Sequence, residues 1–93
     1  MKNMQSITGG EAVVKSLIMH GVDTVFGLPG LQNDALYNAF YDNRSSVRVV
    51  HTRHEQGAAY MALGYALSLD EPGVYNVVPG PGFLNTTAAL STA

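Results

Sequence analysis

The stretch VRVVHTRHEQGAAYMALGYALSL, residues 47–69, changes from a strand pattern to a helix pattern within one short loop. Val47 to His51 predicts a buried strand, and Glu55 to about Leu69 predicts a helix that is apolar almost all round. As an ordinary first-turn residue, Glu55 would only favour the helix dipole, by about 0.3–1 kcal/mol. At the head of such an apolar helix, however, we expect its carboxyl to lie in a dry crevice. Burial there would raise the pKa and make the carboxyl a usable acid or hydrogen-bond partner.

The rest of the chain follows the same order of strand and then helix. A first helix is predicted after Thr8, because Thr8 and Glu11 have the spacing of a capping box. Ala12, Val13, Leu17 and His20 are predicted to fall on one face, which would be its inward face. The predicted elements are a helix at about 10–20, a strand at 23–28, a helix from 33 or 34 to 41, a strand at 47–51, a helix at 55–69, a strand at 74–78 and a helix from 84 or 85 onwards.

This order predicts an α/β fold with a parallel sheet and helices packed on it. Three strands and four helices make the front part of a three-layer αβα domain. The fourth helix shows no stop signal before Ala93, so we expect residues 1–93 to be a partial domain that is cut off within that helix. A sheet of three strands also has open edges, which another part of a protein would have to cover.

The composition narrows the function classes. Hydrophobic residues make up 46% of the chain and charged residues 13%, compared with about 25% charged in an average globular protein. We therefore expect the chain to bury surface against further chain or a partner. The net charge of −2 disfavours nucleic acid and anionic membranes as partners. With no cysteine, no leader of signal-peptide type and no apolar run of membrane length, a cytoplasmic location is expected.

Three glycine-containing loops follow the three predicted strands, and in open α/β sheets ligands bind beyond these carboxyl ends. The loops are GLPGLQ at 27–32, HTRHEQG at 51–57 and PGPGFLN at 79–85. His51 and His54 do not have the spacing of a zinc motif, so no metal site is predicted. The glycines around Pro81 fit either a plain tight turn or a stiff loop that brings backbone close to a flat ligand.

In this order and spacing, FGLPG, RHEQGAAYMALGYA and PGPGFLNTTAAL resemble the N-terminal pyrimidine-binding domain of thiamine-diphosphate-dependent enzymes. The relatives are the acetolactate synthase, benzoylformate decarboxylase and pyruvate decarboxylase group, and the resemblance covers about Ile7 to Ala93. It implies thiamine diphosphate as cofactor and decarboxylation or carboligation of a 2-oxo acid. It also implies that Glu55 is the catalytic residue. In the family this glutamate hydrogen-bonds N1′ of the aminopyrimidine ring and favours the tautomer whose 4′ nitrogen takes the proton from C2 of the thiazolium ring.

The resemblance implies further roles for the other two loops. The loop that matches the family's G-P-G motif would lie at the cofactor or at the subunit interface; its residues are Gly80, Pro81, Gly82 and Asn85. The loop after the first strand would approach the substrate; its residues are Pro29, Gly30, Leu31 and Gln32. Relatives place Gly, Ser or Asp after P-G, whereas this chain has an apolar leucine, which leaves the substrate open.

The family's diphosphate and magnesium motif belongs to a C-terminal domain, and no such motif occurs in this chain. The resemblance therefore implies Mg²⁺ held by a domain absent from this chain, and a homo-oligomer or docking on a full-length relative. Alone, the chain is expected to bind the cofactor weakly and to turn over no substrate. Two alternatives are a non-catalytic truncated remnant or pairing module, and an unrelated α/β nucleotide-binding domain. The 2-oxo acid, its acceptor and a role for FAD stay open at this point.

Overall fold

A computed structural model describes residues 6–93, and it has alternating strands and helices over that range. The predicted order is confirmed for the first six elements, with bounds that shift by at most two residues, and the seventh, a single helix, is two short helices. The elements are α1 Gly9–Met19, β1 Thr24–Gly27, α2 Asp34–Asp42, β2 Arg48–His51, α3 Glu55–Leu69, β3 Tyr75–Asn76, α4 Pro81–Leu84 and α5 Thr87–Thr92, with a 3₁₀ turn at Leu31–Asn33 before α2.

The three strands form one parallel sheet in the order β2-β1-β3, which confirms the predicted fold class. Val25 of β1 pairs with Val49 of β2, and Phe26 of β1 pairs with Tyr75 of β3. Because all three strands run the same way, their carboxyl ends meet at one edge of the sheet. The loops that follow β1, β2 and β3 therefore start from that edge.

Two apolar clusters make the structure three layers deep. Val25 belongs to a cluster formed by α1, α2 and the strands, and its buried members are Val14, Val25, Ala39, Phe40 and Val47. The next residue, Phe26, points to the opposite face and packs with Ala58 and Ala62 of α3. This alternation follows from the period of two in a strand, and it puts α1 and α2 on one face and α3 on the other.

The start of α1 is as predicted, but its inward face is not. Thr8 Oγ1 accepts a hydrogen bond from the Glu11 backbone N–H at 3.0 Å, and the Glu11 carboxylate accepts one from the Thr8 N–H at 2.9 Å. Val14 is fully buried, whereas Val13 is half exposed. The reason is Gly10: a Cβ there would stand 2.7 Å from the carbonyl oxygen of α2 residue 35, so this position lies against α2.

The face of α1 that packs then follows from this contact. Residues four, seven and eight positions after Gly10 lie on the same side of a helix. These are Val14, Leu17 and Ile18, which pack in the α1–α2 cluster. The prediction placed Leu17 correctly and Ala12 and Val13 wrongly, because it did not account for the close approach of α2.

The predicted fourth helix is two short helices. α4 begins at Pro81, three residues before the predicted start, with proline at the first position, where its missing N–H costs nothing. The break comes at Thr86, which is fully buried. Its hydroxyl donates to the Phe83 carbonyl at 2.6 Å and accepts from the Tyr75 hydroxyl at 3.0 Å. This link to β3 fixes the junction between α4 and α5.

α3 has 15 residues and buries three alanines, Ala58, Ala59 and Ala62, of which Ala58 and Ala62 pack against Phe26 of the sheet. Tyr65 also packs against Phe26, whereas other apolar side chains of α3 are exposed; Met61 is 43% exposed and Leu67 is 78% exposed. Across residues 6–93, no helix combines the length and apolar character that crossing a membrane requires.

Candidate functional site

Glu55 is the first residue of α3 and lies at the carboxyl edge of the sheet, four residues after β2 ends. The short loop before it is held by its own hydrogen bonds. Thr52 Oγ1 donates to the His54 carbonyl at 2.9 Å, and Nδ1 of His54 accepts from the Gln56 backbone N–H at 3.1 Å. His54 is thus the N-cap of α3, and the helix start that carries Glu55 has a fixed geometry.

The carboxyl of Glu55 is joined to the third loop. Nδ2 of Asn85 donates a hydrogen bond to Oε1 of Glu55 at 3.1 Å. This bond is the largest of the effects that lower the pKa of Glu55; the backbone N–H of Glu55 adds to it, desolvation opposes both, and the neighbouring His54 contributes least. The predicted raised pKa is therefore wrong for this chain. Glu55 is only half-buried and a donor faces it, because the helix start lies at the rim while the apolar part of α3 lies further along.

The loop that contains Gly80, Pro81 and Gly82 brings backbone close to Glu55. Gly82 is buried, and a Cβ built there would stand 3.5 Å from Oε2 of Glu55 and 2.6 Å from Cγ2 of Val78. Gly80 has a φ of +77°, a left-handed conformation that suits glycine. The structure therefore brings Glu55, Gly82 and Asn85 together, while Gly80 and Pro81 form the turn that leads into α4.

The loop after β1 reaches the same place through one side chain. Gly30 lies against Val78, which also contacts Gly82 as described above, so the first and third loops pack on opposite sides of one valine. Pro29 and Gln32 are exposed, and Leu31 is 83% exposed. Of the four residues predicted on the substrate side, Gly30 is thus tied to the Glu55 region, whereas the other three face solvent in the described chain.

Two contacts at this edge were not predicted. Asn33 Nδ2 donates to Asn76 Oδ1 at 2.9 Å, which ties the 3₁₀ turn to the end of β3. Tyr37 lies with its hydroxyl against Gly27 and without a hydrogen-bond partner among the described residues. Burial raises its pKa to about 12. In the sequence, the only indication of these two contacts is that Gly27 and Asn76 lie at the ends of strands.

The two histidines of the second loop do not act together. His54 caps α3, whereas His51 ends β2 with its ring 6.3 Å from the ring of Tyr37. Within residues 6–93, no three side chains of the His, Cys, Asp and Glu types lie close enough together to hold a metal ion.

The match to known proteins agrees with this arrangement. The family described as thiamine pyrophosphate enzyme, N-terminal TPP binding domain, matches residues 7–93. The chain belongs to this family. The resemblance drawn from the three loops is therefore confirmed, and so is thiamine diphosphate as the cofactor of the family. In this N-terminal TPP binding domain, the three loops start from the carboxyl edge of a parallel sheet and meet around Glu55 and Val78.

Individual relatives of this N-terminal TPP binding domain are much longer proteins. The probable 2-ketoarginine decarboxylase AruI of Pseudomonas aeruginosa is 45% identical over 93 residues, which are 100% of this chain and 16% of that protein. An acetolactate synthase of Arthrospira platensis is 40% identical over 92 residues, 97% of this chain and 16% of that protein. An acetolactate synthase of Bacillus subtilis is 40% identical over 92 residues, 99% of this chain and 16% of that protein. The chain thus spans 16% of the length of these relatives.

Proposed function

We propose that this chain supplies Glu55 to the thiamine-diphosphate site of an enzyme that decarboxylates or ligates 2-oxo acids. The observation that carries the proposal is the position of the Glu55 carboxyl. One of its oxygens is held by Asn85, and the other lies beside the backbone of Gly82, which carries no side chain. A carboxyl so placed at the carboxyl edge of a parallel sheet is suited to meet a nitrogen of a bound ring.

The residues fit the aminopyrimidine part of the cofactor. Because Gly82 has no side chain, its backbone can lie beside Oε2 and against Val78, and Gly80 and Pro81 make the turn that brings the backbone there. Glu55 is partly buried as a residue, and a ring bound over its carboxyl would remove that carboxyl further from water. We assign Gly80, Pro81 and Gly82 to the face that holds the pyrimidine, and Gly30, Leu31 and their neighbours Pro29 and Gln32 to the substrate side.

The chemistry of this chain is the placement of a proton. Thiamine diphosphate, when bound, supplies the carbon nucleophile and the electron sink for the cleavage or formation of the bond next to the carbonyl. Glu55 holds the proton at N1′ of the pyrimidine ring. The lowered pKa of Glu55 means that the carboxyl is ionised before the ring arrives, so the hydrogen bond that it makes to a protonated ring nitrogen is charge-assisted.

The rest of the enzyme lies outside this chain. Among residues 6–93 no cluster of acidic or histidine ligands could hold the Mg²⁺ that we assign, with the diphosphate, to another domain. We propose that this domain belongs to a second subunit of a homo-oligomer. The substrate is a small 2-oxo acid, a class that agrees with the names of the relatives. A cytoplasmic location is part of the same proposal, and the lack of cysteine favours it.

A second candidate function is a non-catalytic module that docks on a full-length relative. The exposed apolar side chains favour it: Phe83 and Leu84 of α4 are 47% and 64% exposed, and Leu90 of α5 is 46% exposed. The mass of the native protein that carries this segment separates the two. A mass far above 9.9 kDa supports the enzyme, whereas a mass near 9.9 kDa with a longer relative bound to it supports the module.

The test of the leading proposal is a pair of glutamate substitutions in the protein that carries this domain. Glu55→Gln keeps the size of the side chain but cannot hold the proton, and we expect the cofactor-dependent consumption of 2-oxo acid to fall by about 10²–10⁴-fold. The matched control is Glu71→Gln, an exposed glutamate in the turn after α3, for which the rate stays unchanged. Equal rates for Glu55→Gln and the control would refute the proposal.

A further inference from the structure

The two oxygens of the Glu55 carboxyl have different surroundings. Oε1 accepts the hydrogen bond from the side-chain amide of Asn85, whereas Oε2 lies on the side of Gly82, 3.5 Å from the place that a Cβ would take there. An amide NH₂ group donates and never accepts, so a proton on the carboxyl could not point at it; while the bond is present, the proton is favoured on the other oxygen. The amide must face the carboxyl with its nitrogen, because the amide oxygen and an ionised carboxyl are both acceptors.

We propose that Asn85 is a positioning residue that holds Oε1 of Glu55 as an acceptor, so that Oε2 is the oxygen that carries and exchanges the proton. This inference deepens the function proposed above and rests on it. Asn85 acts through Glu55 in this scheme. Asn85 then need not contact the cofactor itself. Its role is to determine which oxygen of the Glu55 carboxyl meets the ring.

The backbone holds Asn85 in place for this task. Its N–H donates to the Pro81 carbonyl at 3.0 Å, at the end of α4. The next residue, Thr86, is fully buried, and its hydroxyl binds both the Phe83 carbonyl and Tyr75 of β3. The break between α4 and α5 is thus fixed to the sheet, and Asn85 lies at that break with its amide directed at the head of α3.

The electrostatic surroundings give Asn85 a large share in the state of the carboxyl. The hydrogen bond from Asn85 is the largest of the contributions that lower the pKa of Glu55. The ionisable side chain that also acts on the carboxyl is His54, the residue before Glu55. Arg53, one residue earlier, is exposed. α4 has the sequence PGFL and brings no ionisable group to the carboxyl. The loss of the Asn85 amide therefore leaves no second side-chain donor from the third loop.

The test is a titration of the Glu55 carboxyl by carbon-13 NMR in the full chain without cofactor. The chain has only three glutamates, Glu11, Glu55 and Glu71, so each side-chain carboxyl signal is assigned by one substitution. In Asn85→Ala we expect the pKa of Glu55 to rise towards the ordinary value of about 4.3. In the isosteric Asn85→Asp the added negative charge raises it further. The control is Asn38→Ala, an exposed asparagine of α2.

An unchanged titration of Glu55 in both Asn85 variants, with the fold intact by circular dichroism, would overturn the inference. If Asn85→Ala does not fold, the isosteric Asn85→Asp decides alone. In the protein that carries this domain, Asn85→Ala should also lower kcat about tenfold with KM nearly unchanged, and move the acid limb of the pH profile to higher pH. A purely structural Asn85 would lower activity without moving that limb.

The two proposals fail in different ways. If Glu55→Gln leaves catalysis intact while Asn85→Ala shifts the carboxyl titration, the proposed function is wrong and the Asn85–Glu55 contact stands. If Glu55→Gln abolishes catalysis while the titration is indifferent to residue 85, the proposed function stands and the positioning role is overturned.

Discussion

The contact between Gly82 and Val78 gives a prediction with two opposing terms. Alanine in place of Gly82 gains about 0.5–1 kcal/mol, because glycine loses more backbone entropy in a helix. Its Cβ, however, would lie 2.6 Å from Cγ2 of Val78, closer than carbon atoms approach, so one of them must move. Overpacking of this kind costs about 1–3 kcal/mol. We therefore expect Gly82→Ala to lower the free energy of unfolding by about 1 kcal/mol.

A matched substitution isolates the clash. Gly64 lies within α3, and a Cβ there meets nothing within 4 Å, so Gly64→Ala should raise the free energy of unfolding by up to about 1 kcal/mol. The two glycine-to-alanine changes should thus differ by about 2 kcal/mol and have opposite signs. Urea unfolding of the full chain, followed by far-ultraviolet circular dichroism, measures both.

The double-mutant cycle with Val78→Ala tests the cause. That change removes Cγ2, so in the Val78→Ala background Gly82→Ala should become neutral or stabilising. The carboxyl of Glu55 does not oppose the new methyl group, since Oε2 lies at an ordinary contact distance of 3.5 Å from it. If Gly82→Ala destabilises by the same amount in both backgrounds, the loss of stability comes from the backbone and not from Val78. The contact of the first and third loops with this valine would then not explain the loss.

Three further predictions concern the residues around this edge of the sheet. Because the pKa of Tyr37 is raised to about 12, the unfolded state ionises first as the pH rises above about 10; wild-type stability should therefore fall between pH 10 and 12 more steeply than that of Tyr37→Phe in urea unfolding. Thr86→Val leaves the partly buried Tyr75 hydroxyl without its acceptor and should cost about 1 kcal/mol in the same assay, much of which the added change Tyr75→Phe recovers. His54→Ala removes the cap on the Gln56 N–H and should cost about 1 kcal/mol of thermal stability, whereas His54→Asn, a good cap, should not; equal losses would refute the capping role.

The sequence was sufficient to place Glu55 beside the third loop. The switch from strand to helix at residues 51–55 is a strong local pattern, and parallel strands bring the loops after them to one edge. The same reasoning applied to the 79–85 loop, because two prolines and two glycines mark a turn shortly after β3, which ends at Asn76. The order of strands and helices along the chain is therefore enough to predict that these loops lie at one edge of the sheet.

The parts that could not be predicted depend on contacts between distant residues. The break at Thr86 involves a hydrogen bond from the hydroxyl of Tyr75, which lies eleven positions earlier on β3. The helix pattern of the residues around Thr86 does not indicate this contact. The direction of the Glu55 pKa depends on the Asn85 amide, whose orientation follows from that break. The inward face of α1 likewise depends on how closely α2 approaches Gly10.

The central claim is that Glu55 controls a proton on the cofactor, and the exchange of the C2 proton of thiamine diphosphate for deuterium measures it most directly. The measurement compares the protein that carries this domain with its Glu55→Gln variant, each saturated with cofactor and Mg²⁺ and quenched for proton NMR. We predict an exchange rate about 10²–10⁴-fold lower in the variant, with the cofactor still bound. Equal exchange rates in the two saturated proteins would contradict the claim and reduce Glu55 to the first residue of a helix.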